Sequence, residues 1–340
     1  MSLLILPVTG QEPYRMGTTA GNFLEIGFGS AGSAMGDAYV AMVNDLSAAY
    51  WNPAGLAFMK QSEAQFIYQP LFVGINTAFT GAGFVVPSVG TVALSMLYTG
   101  YGDMDVTTVE AQEGTGETFT ANDYAFTVSY ARKLTNWFSF GASGKYVGSE
   151  IWHTKASALA LDLGVIVNTF FLSPTGERKD GMHIGMSISN YGTRMRYDGI
   201  DLINPIDILP DQNGNYADTK GQFRLEQWEL PLIFRIGTAI NVINTGSHKI
   251  TMAVDALHPN NNSEYVNAGM QYALDIPNYG LFYLRAGYKG MFMPNSEYGL
   301  ALGGGMEKYM MNNLGLKIDY AYRDVGLLGR VHSYSVGFLF

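Results

Sequence analysis

The sequence has 340 residues and a formal net charge of −9, from 29 acidic and 20 basic side chains. This acidic balance argues against a nucleic-acid-binding protein, which would present a basic surface. Only 14% of the residues are charged, against about 25% in a typical soluble domain, and the absence of cysteine excludes disulfides and thiolate metal sites. Low charge together with 13% aromatic residues indicates either a very large core or a surface that faces lipid.

The first predicted element is a short apolar segment, Leu3–Pro7, near the N-terminus. We interpret residues 1–10 as the remnant of a secretory signal peptide whose beginning is missing. An ordinary buried N-terminal strand is the alternative.

A glycine-rich stretch, GFGSAGSAMG, occupies residues 27–36. Gly27, Gly29 and Gly32 spell the dinucleotide-binding pattern G-x-G-x-x-G, but that pattern works only between a buried parallel strand and a long helix. The five residues upstream are too short for a central strand, and the rest of the chain lacks alternating strands and helices. We therefore assign these glycines, with Gly36, to a compact segment whose backbone packs closely against a surrounding wall.

A short helix is predicted within YWNPAGLAF, residues 50–58. Asn52 is the expected N-cap and Pro53 the first helical residue, followed by Ala54 and Gly55. Trp51 is one of the aromatic residues expected to anchor this helix. Together with the glycine-rich stretch, it predicts an N-terminal plug over residues 11–60.

From residue 62 onward the hydrophobic period is two, which is typical of strands. Fourteen such segments follow one another: 62–69, 76–86, 90–101, 118–133, 136–150, 154–171, 181–193, 221–242, 247–258, 264–275, 281–290, 298–308, 313–323 and 329–340. Most reach the roughly 9–11 residues that a tilted strand needs to cross a bilayer. The fold class predicted for residues 61–340 is therefore all-β: a transmembrane antiparallel β-barrel of about 14 strands. A soluble β-sandwich is the alternative, but the aromatic residues cluster near segment ends, as an interfacial girdle would.

The connections between segments tend to alternate in length. Short turns are predicted at 87–90, 133–136, 244–247 and 276–280, and longer loops at 102–117 and 194–220. These loops carry nine acidic residues: Asp103, Asp105, Glu110, Glu113, Glu117, Asp201, Asp207, Asp211 and Asp218. An even strand count with short turns on the side of the termini predicts an integral protein of the bacterial outer membrane with both termini periplasmic. Acidic loops suit recognition of a protein partner, or of a cation.

Ionisable residues on the inward faces of the predicted strands are the candidate lumen groups: Lys145, Asp162, Arg235, Asp255, Arg285, Lys289, Lys317, Asp319 and Arg323. We expect them to pair across adjacent strands in a wet interior. The sequence contains no H-E-x-x-H, G-x-S-x-G or P-loop motif, and its five histidines are scattered. We therefore predict no catalytic residues, no metal site and no cofactor, and a protein that is not an enzyme.

Residues 20–58 resemble the N-terminal pattern of the PorV/PorQ outer-membrane family, within the FadL-like barrel superfamily. The segments MGDAYVA and YWNPAGLA carry the resemblance most specifically. It implies a fourteen-stranded barrel with an N-terminal hatch, and an accessory or docking role in protein secretion or surface attachment of the type IX kind. The partners implied are outer-membrane lipid and components of a translocon or attachment complex. The alternative is a FadL-like channel for hydrophobic small molecules, with a hydrophobic ligand in the lumen, but FadL-like transporters tend to have longer extracellular loops than this chain has room for.

Overall fold

The computed structural model describes residues 15–212, 219–310 and 314–340. Within these ranges, fourteen long strands form one sheet. They are β1 (Glu63–Pro70), β2 (Asn76–Val86), β3 (Gly90–Asp105), β4 (Thr118–Lys133), β5 (Phe138–Ile151), β6 (Thr154–Asn168), β7 (His183–Gly192), β8 (Ile233–Asn244), β9 (His248–Pro259), β10 (Tyr265–Ile276), β11 (Gly280–Met291), β12 (Leu300–Met310), β13 (Leu314–Asp324) and β14 (Arg330–Leu339). The predicted signal-peptide remnant, residues 1–10, lies outside the described residues.

The sheet is a closed antiparallel barrel. Each strand pairs with the next in the chain, and β1 pairs with β14 from Glu63↔Leu339 to Tyr68↔Tyr334. This last pairing removes both edges, which is why a barrel tolerates lipid while an open sheet does not. The predicted all-β barrel of fourteen strands is confirmed.

Alternation along the strands separates two faces. In β13, Ile318 and Tyr320 are exposed on the outer wall, whereas the neighbouring Lys317 and Asp319 are buried inside. A soluble sandwich would bury the apolar face instead. An apolar exterior around a polar interior is the pattern of an outer-membrane barrel.

Most of the predicted segments agree with the strands, but 221–242 is wrong at its start. The structure places Thr219–Gln222 in a separate two-stranded hairpin with Ile203–Ile206, and β8 begins only at Ile233. Pro231 precedes β8 and has no N–H to donate to a ladder, which explains the interruption. In the opposite sense, β3 continues to Asp105 and shortens the loop predicted at 102–117.

The two rims of the barrel differ. One rim, here the short-turn rim, contains the connections 87–89, 134–137, 245–247 and 277–279, together with the longer 169–182. The opposite, long-loop rim contains 106–117 and the largest connection, 193–232, beside several short ones. All four predicted short turns lie on the same rim.

An N-terminal segment, residues 15–62, precedes β1. It contains two short α-helices, α1 (Ser30–Ala34) and α2 (Ala48–Trp51), and two 3-10 helices, Asn22–Glu25 and Pro53–Phe58. Three further 3-10 turns lie in loops, at Arg178–Asp180, Ile200–Leu202 and Gly326–Leu328. Among the described residues, no helix combines the length and apolar character needed to cross a bilayer.

The two ends of the described chain lie at opposite rims. The backbone N–H of Ala20 donates to the carbonyl of Glu229 in the long-loop rim, at 2.9 Å. The backbone N–H of Phe340 donates to Ser62 at the short-turn rim, also at 2.9 Å. Residues 15–20 therefore lie at the rim opposite the C-terminus, and not on the side where both termini were expected.

Candidate functional site in the barrel lumen

The glycine-rich stretch allows the N-terminal segment to fold tightly on itself. A Cβ on Gly32 would lie 2.7 Å from the ring of Trp51, and one on Gly27 would lie 2.7 Å from the carboxylate of Asp37. Gly29, with a positive φ of 97°, is the N-cap of α1 and faces Ser47, while Gly55 packs against Val43. These glycines make room for side chains of the segment itself, beside a five-residue helix, and not for the surrounding wall that was expected from the sequence.

Trp51 and its neighbours form the core of this segment. The indole Nε1 donates to the carbonyl of Phe28 at 2.7 Å, and the ring makes edge-to-face contacts with Tyr50 and Tyr39. A buried indole with its donor satisfied is a stable anchor. Trp51 therefore packs within the N-terminal segment, and Phe58 is only half-buried.

Asn52 caps the 3-10 helix Pro53–Phe58, with Pro53 at its first position. Its Oδ1 accepts from the backbone N–H of Ala54 at 3.1 Å, as predicted. Its Nδ2 also donates to the carbonyls of Val40 at 2.9 Å and of Val165, in β6, at 3.1 Å. One fully buried amide therefore joins the cap, a second turn of the segment and the barrel wall.

The segment is hydrogen-bonded to widely separated strands of the wall. On β9, the carboxylate of Asp255 accepts from the backbone N–H groups of Tyr39 and Val40, at 2.7 and 2.9 Å. On β14, the hydroxyl of Ser335 lies 2.7 Å from that of Ser30. Contacts with strands so far apart in a closed barrel place this part of the segment within the lumen.

At Gly36 the segment touches the wall backbone directly. The residue has a φ of 64°, and a Cβ there would lie 2.5 Å from the backbone nitrogen of Tyr288 in β11. Only glycine fits such a conformation and such a contact. On the opposite side, Gly164 of β6 makes room for the side chains of Asn52 and Pro53.

Acidic residues of the segment pair with cations of the wall. Asp37 lies 2.6 Å from Lys289 and 3.2 Å from Arg323, and Asp45 pairs with Lys317. Burial by itself would raise the pKa of Asp37, but the charges of Lys289 and Arg323 outweigh it and hold the pKa below its ordinary value. The pKa of Asp45 is lowered in the same way, because Lys317 outweighs burial.

The other predicted lumen groups contact each other or the wall. Lys145 and Asp162 form a buried pair at 2.5 Å between β5 and β6. Arg285 and Asp319 pair at 2.6 Å between β11 and β13, across the glycines of β12. Arg235 donates to Ser189 at 2.8 Å.

The expected pairing across adjacent strands therefore describes only Lys145 and Asp162 among these ion pairs. Three of the wall cations, Lys289, Arg323 and Lys317, are instead neutralised by the N-terminal segment. Sequence reasoning missed the roles of Asp37 and Asp45. The available signal was an excess of inward-facing cations over inward-facing carboxylates in the predicted strands, together with two carboxyl groups in the segment that precedes them.

A cavity of about 490 Å³ opens below the segment at the short-turn rim. Its lining includes four lysines (Lys60, Lys133, Lys179 and Lys249) and the half-buried Phe58. A smaller cavity of about 130 Å³ adjoins it and contains the carboxyl groups of Glu63 and Glu307. Within residues 15–212, 219–310 and 314–340, no group of three or more His, Cys, Asp or Glu side chains could hold a metal ion.

The long-loop rim carries an exposed apolar surface. The loop 193–232 contains the hairpin of Ile203–Ile206 and Thr219–Gln222. Its large exposed apolar side chains, here called the apolar hairpin, are Ile200, Ile203, Ile206, Ile208, Leu209, Phe223, Leu225 and Trp228. Sequence reasoning counted the acidic residues of this loop and assigned its second half to a strand, so it missed this surface.

Residues 9–208 match the family described as type IX secretion system protein PorV. No curated protein matches the chain. Among solved structures, the CymD monoaromatic hydrocarbon channel is similar with a TM-score of 0.56 and 10% identity, over 92% of this chain and 96% of that one. The Pseudomonas putida toluene transporter TodX is similar with a TM-score of 0.54 and 12% identity, over 92% of this chain and 96% of that one. The Ralstonia pickettii toluene transporter TbuX is similar with a TM-score of 0.54 and 11% identity, over 92% of this chain and 97% of that one.

The likeness to these channels is one of fold, because the sequence identities are low. It agrees with the closed barrel and its apolar exterior, which indicate an outer-membrane protein. The family match covers more than half of the chain and includes the segments MGDAYVA and YWNPAGLA. The chain therefore belongs to the family of the type IX secretion system protein PorV.

Proposed function

We propose that this protein is a docking component of the type IX secretion or surface-attachment machinery, and that it binds a protein partner through its long-loop rim. The observation that supports this most directly is the apolar hairpin. Ile200, Ile208 and Phe223 are 63%, 57% and 60% exposed in the loop 193–232, outside the fourteen barrel strands. Large exposed apolar side chains grouped on one loop are typical of an interaction site.

The lumen supports docking over transport. The N-terminal segment acts as a plug in this proposal, because its buried ion pairs and hydrogen bonds connect it to strands β6, β9, β11, β13 and β14. An acyl chain passing these groups would gain little hydrophobic free energy. No enzymatic step is part of the proposed function.

A channel for hydrophobic small molecules is the second candidate. The similarity of the fold to hydrocarbon channels favours it. An apolar groove on the outer wall, about 330 Å³ in volume and lined by Phe234, Ile236 and Phe292 among others, would suit a lipid-like molecule. This function requires a continuous apolar path, and the buried charges of the lumen oppose one.

Partner recovery by a hairpin variant, together with an uptake measurement, distinguishes the two functions. We expect Ile200→Ser/Ile208→Ser/Phe223→Ser to reduce co-purification of outer-membrane partners about tenfold or more, since such apolar anchors dominate interfaces. The matched control is Phe126→Ser/Val128→Ser/Leu159→Ser, which removes similar apolar area from the lipid-facing wall. Unchanged partner recovery in the hairpin variant, with loss of uptake of a labelled long-chain fatty acid on gene deletion, would favour the channel.

A further inference from the structure

The cavity at the short-turn rim concentrates positive charge in an acidic protein. Its four lysines stand on four separate elements: the linker before β1, the end of β4, the 3-10 turn Arg178–Asp180, and β9. Asp275 is the carboxylate among its lining residues. This contrasts with a formal net charge of −9 for the whole chain.

Three of these lysines have no ionic partner among the described residues. Lys179 pairs with Glu177 at 2.6 Å, but no described carboxylate forms an ion pair with Lys60, Lys133 or Lys249. The nearby carboxylate of Asp180 accepts hydrogen bonds from Nδ2 of Asn244 at 2.8 Å and from the hydroxyl of Thr175 at 2.7 Å. The wall cations deeper in the lumen, by contrast, are neutralised by Asp37, Asp45 and Asp319.

The cavity also has an apolar side. Phe58 lies beneath Lys133, whose Nζ is 4.5 Å from the ring centroid, and Leu281 and Ile166 are among the other apolar residues of the lining. The lining contains no arginine, the residue suited to bidentate recognition of one planar anion. Dispersed, flexible ammonium groups suit an extended ligand with several carboxylates.

We propose that this cavity, here called the lysine vestibule, binds an acidic peptide segment of a protein partner. The proposal rests on the docking function above, but it assigns a second contact on the rim opposite the apolar hairpin. The carboxylates of the peptide would pair with Lys60, Lys133 and Lys249, and an apolar side chain would pack on Phe58. Partners would then engage the barrel from both sides of the membrane.

The test uses the full chain, purified in zwitterionic detergent, and a fluorescein-labelled oligoglutamate peptide followed by fluorescence anisotropy. We expect Lys60→Gln/Lys133→Gln/Lys249→Gln to weaken binding about tenfold or more, and added salt to weaken binding to the native protein, since exposed charges are screened within about 10 Å at 0.1 M salt. The charge-conserving variant Lys60→Arg/Lys133→Arg/Lys249→Arg should still bind.

The matched control is Lys155→Gln/Lys308→Gln/Arg330→Gln, which removes the same charge at residues outside both the cavity lining and the hairpin. Equal loss in control and vestibule variants, or no loss in either, would overturn the proposal. Displacement of the peptide by an equal concentration of inorganic phosphate would also overturn it, and would indicate a simple anion site. None of these outcomes bears on the apolar hairpin, whose test is recovery of partners by its own variant.

Discussion

Asp37 is the residue on which the largest part of the buried charge depends, since it faces both Lys289 and Arg323. We expect Asp37→Asn to destabilise docking of the N-terminal segment by about 3 kcal/mol, because removing one member of a buried ionic cluster leaves the others uncompensated. Hydrogen exchange over residues 30–45 measures this. Glu177→Gln, at an exposed pair with Lys179, is the control, and an equal effect in both variants would contradict the assignment.

The carboxyl groups of Asp37 and Asp45 predict that docking of the N-terminal segment is lost at low pH. The pKa values of Asp37 and Asp45 lie below the ordinary 3.8, since the wall cations outweigh burial. Their stabilisation is complete above pH about 4 and is lost as the pH falls through the lower, folded-state values. Exchange protection of residues 30–45, corrected for intrinsic rates, should therefore fall over the pH interval below about 4. Protection that rises over this interval would show that the pairs do not hold the segment.

For these buried ion pairs, the sequence predicts the position of the wall cations better than that of the carboxylates that neutralise them. The period of two placed Lys289, Lys317 and Arg323 on the inward face. It did not predict that Asp37 and Asp45 neutralise them, because those carboxyl groups are more than 200 residues distant in the chain and belong to no periodic element. Pairing of this kind is decided by tertiary structure.

One element that joins the N-terminal segment to the wall is the capped 3-10 helix Pro53–Phe58. We expect Asn52→Ala to cost about 0.5–2 kcal/mol for the lost cap, and about 1–3 kcal/mol more for the buried carbonyl of Val40, which loses the amide donor of Asn52. Asn52→Ser separates the two contributions, since Ser is a neutral residue that also caps helices and it lacks the Nδ2 donors. Thermal unfolding followed by heat-modifiable electrophoretic migration measures both variants. Equal stability of Asn52→Ser and the native protein would show that the donors contribute nothing.

Local signals explain why this element was predictable. Asn followed by Pro specifies a cap through backbone chemistry alone. The end of a strand is harder to predict when a neighbouring loop is also apolar and extended, as between Phe223 and Pro231. There the exposed apolar residues lie in the loop 193–232, and composition does not distinguish such a loop from a membrane strand.

The whole molecule has two unlike rims, and its orientation is a prediction. We expect the short-turn rim to face the periplasm and the long-loop rim to face the outside. The chain has no cysteine, so a single introduced cysteine reports its own side. Thr115→Cys should react with an impermeant reagent in intact cells, and Ser88→Cys only after the outer membrane is disrupted; the reverse result would invert the orientation.

Contacts between Ser30 and Ser335 have a consequence for assembly. The two residues are 305 positions apart, and Ser335 belongs to the strand that closes the barrel against β1. If the barrel wall closed first, the segment would have to enter a closed barrel afterwards. Contacts this distant in sequence also form slowly. We expect the growing sheet to form around the folded segment, with the pairing of β1 and β14 as the last step of closure. The double variant Ser30→Cys/Ser335→Cys should then crosslink during assembly before the heat-modifiable form appears, so that the segment 15–62 sets the diameter at which the last strand can close.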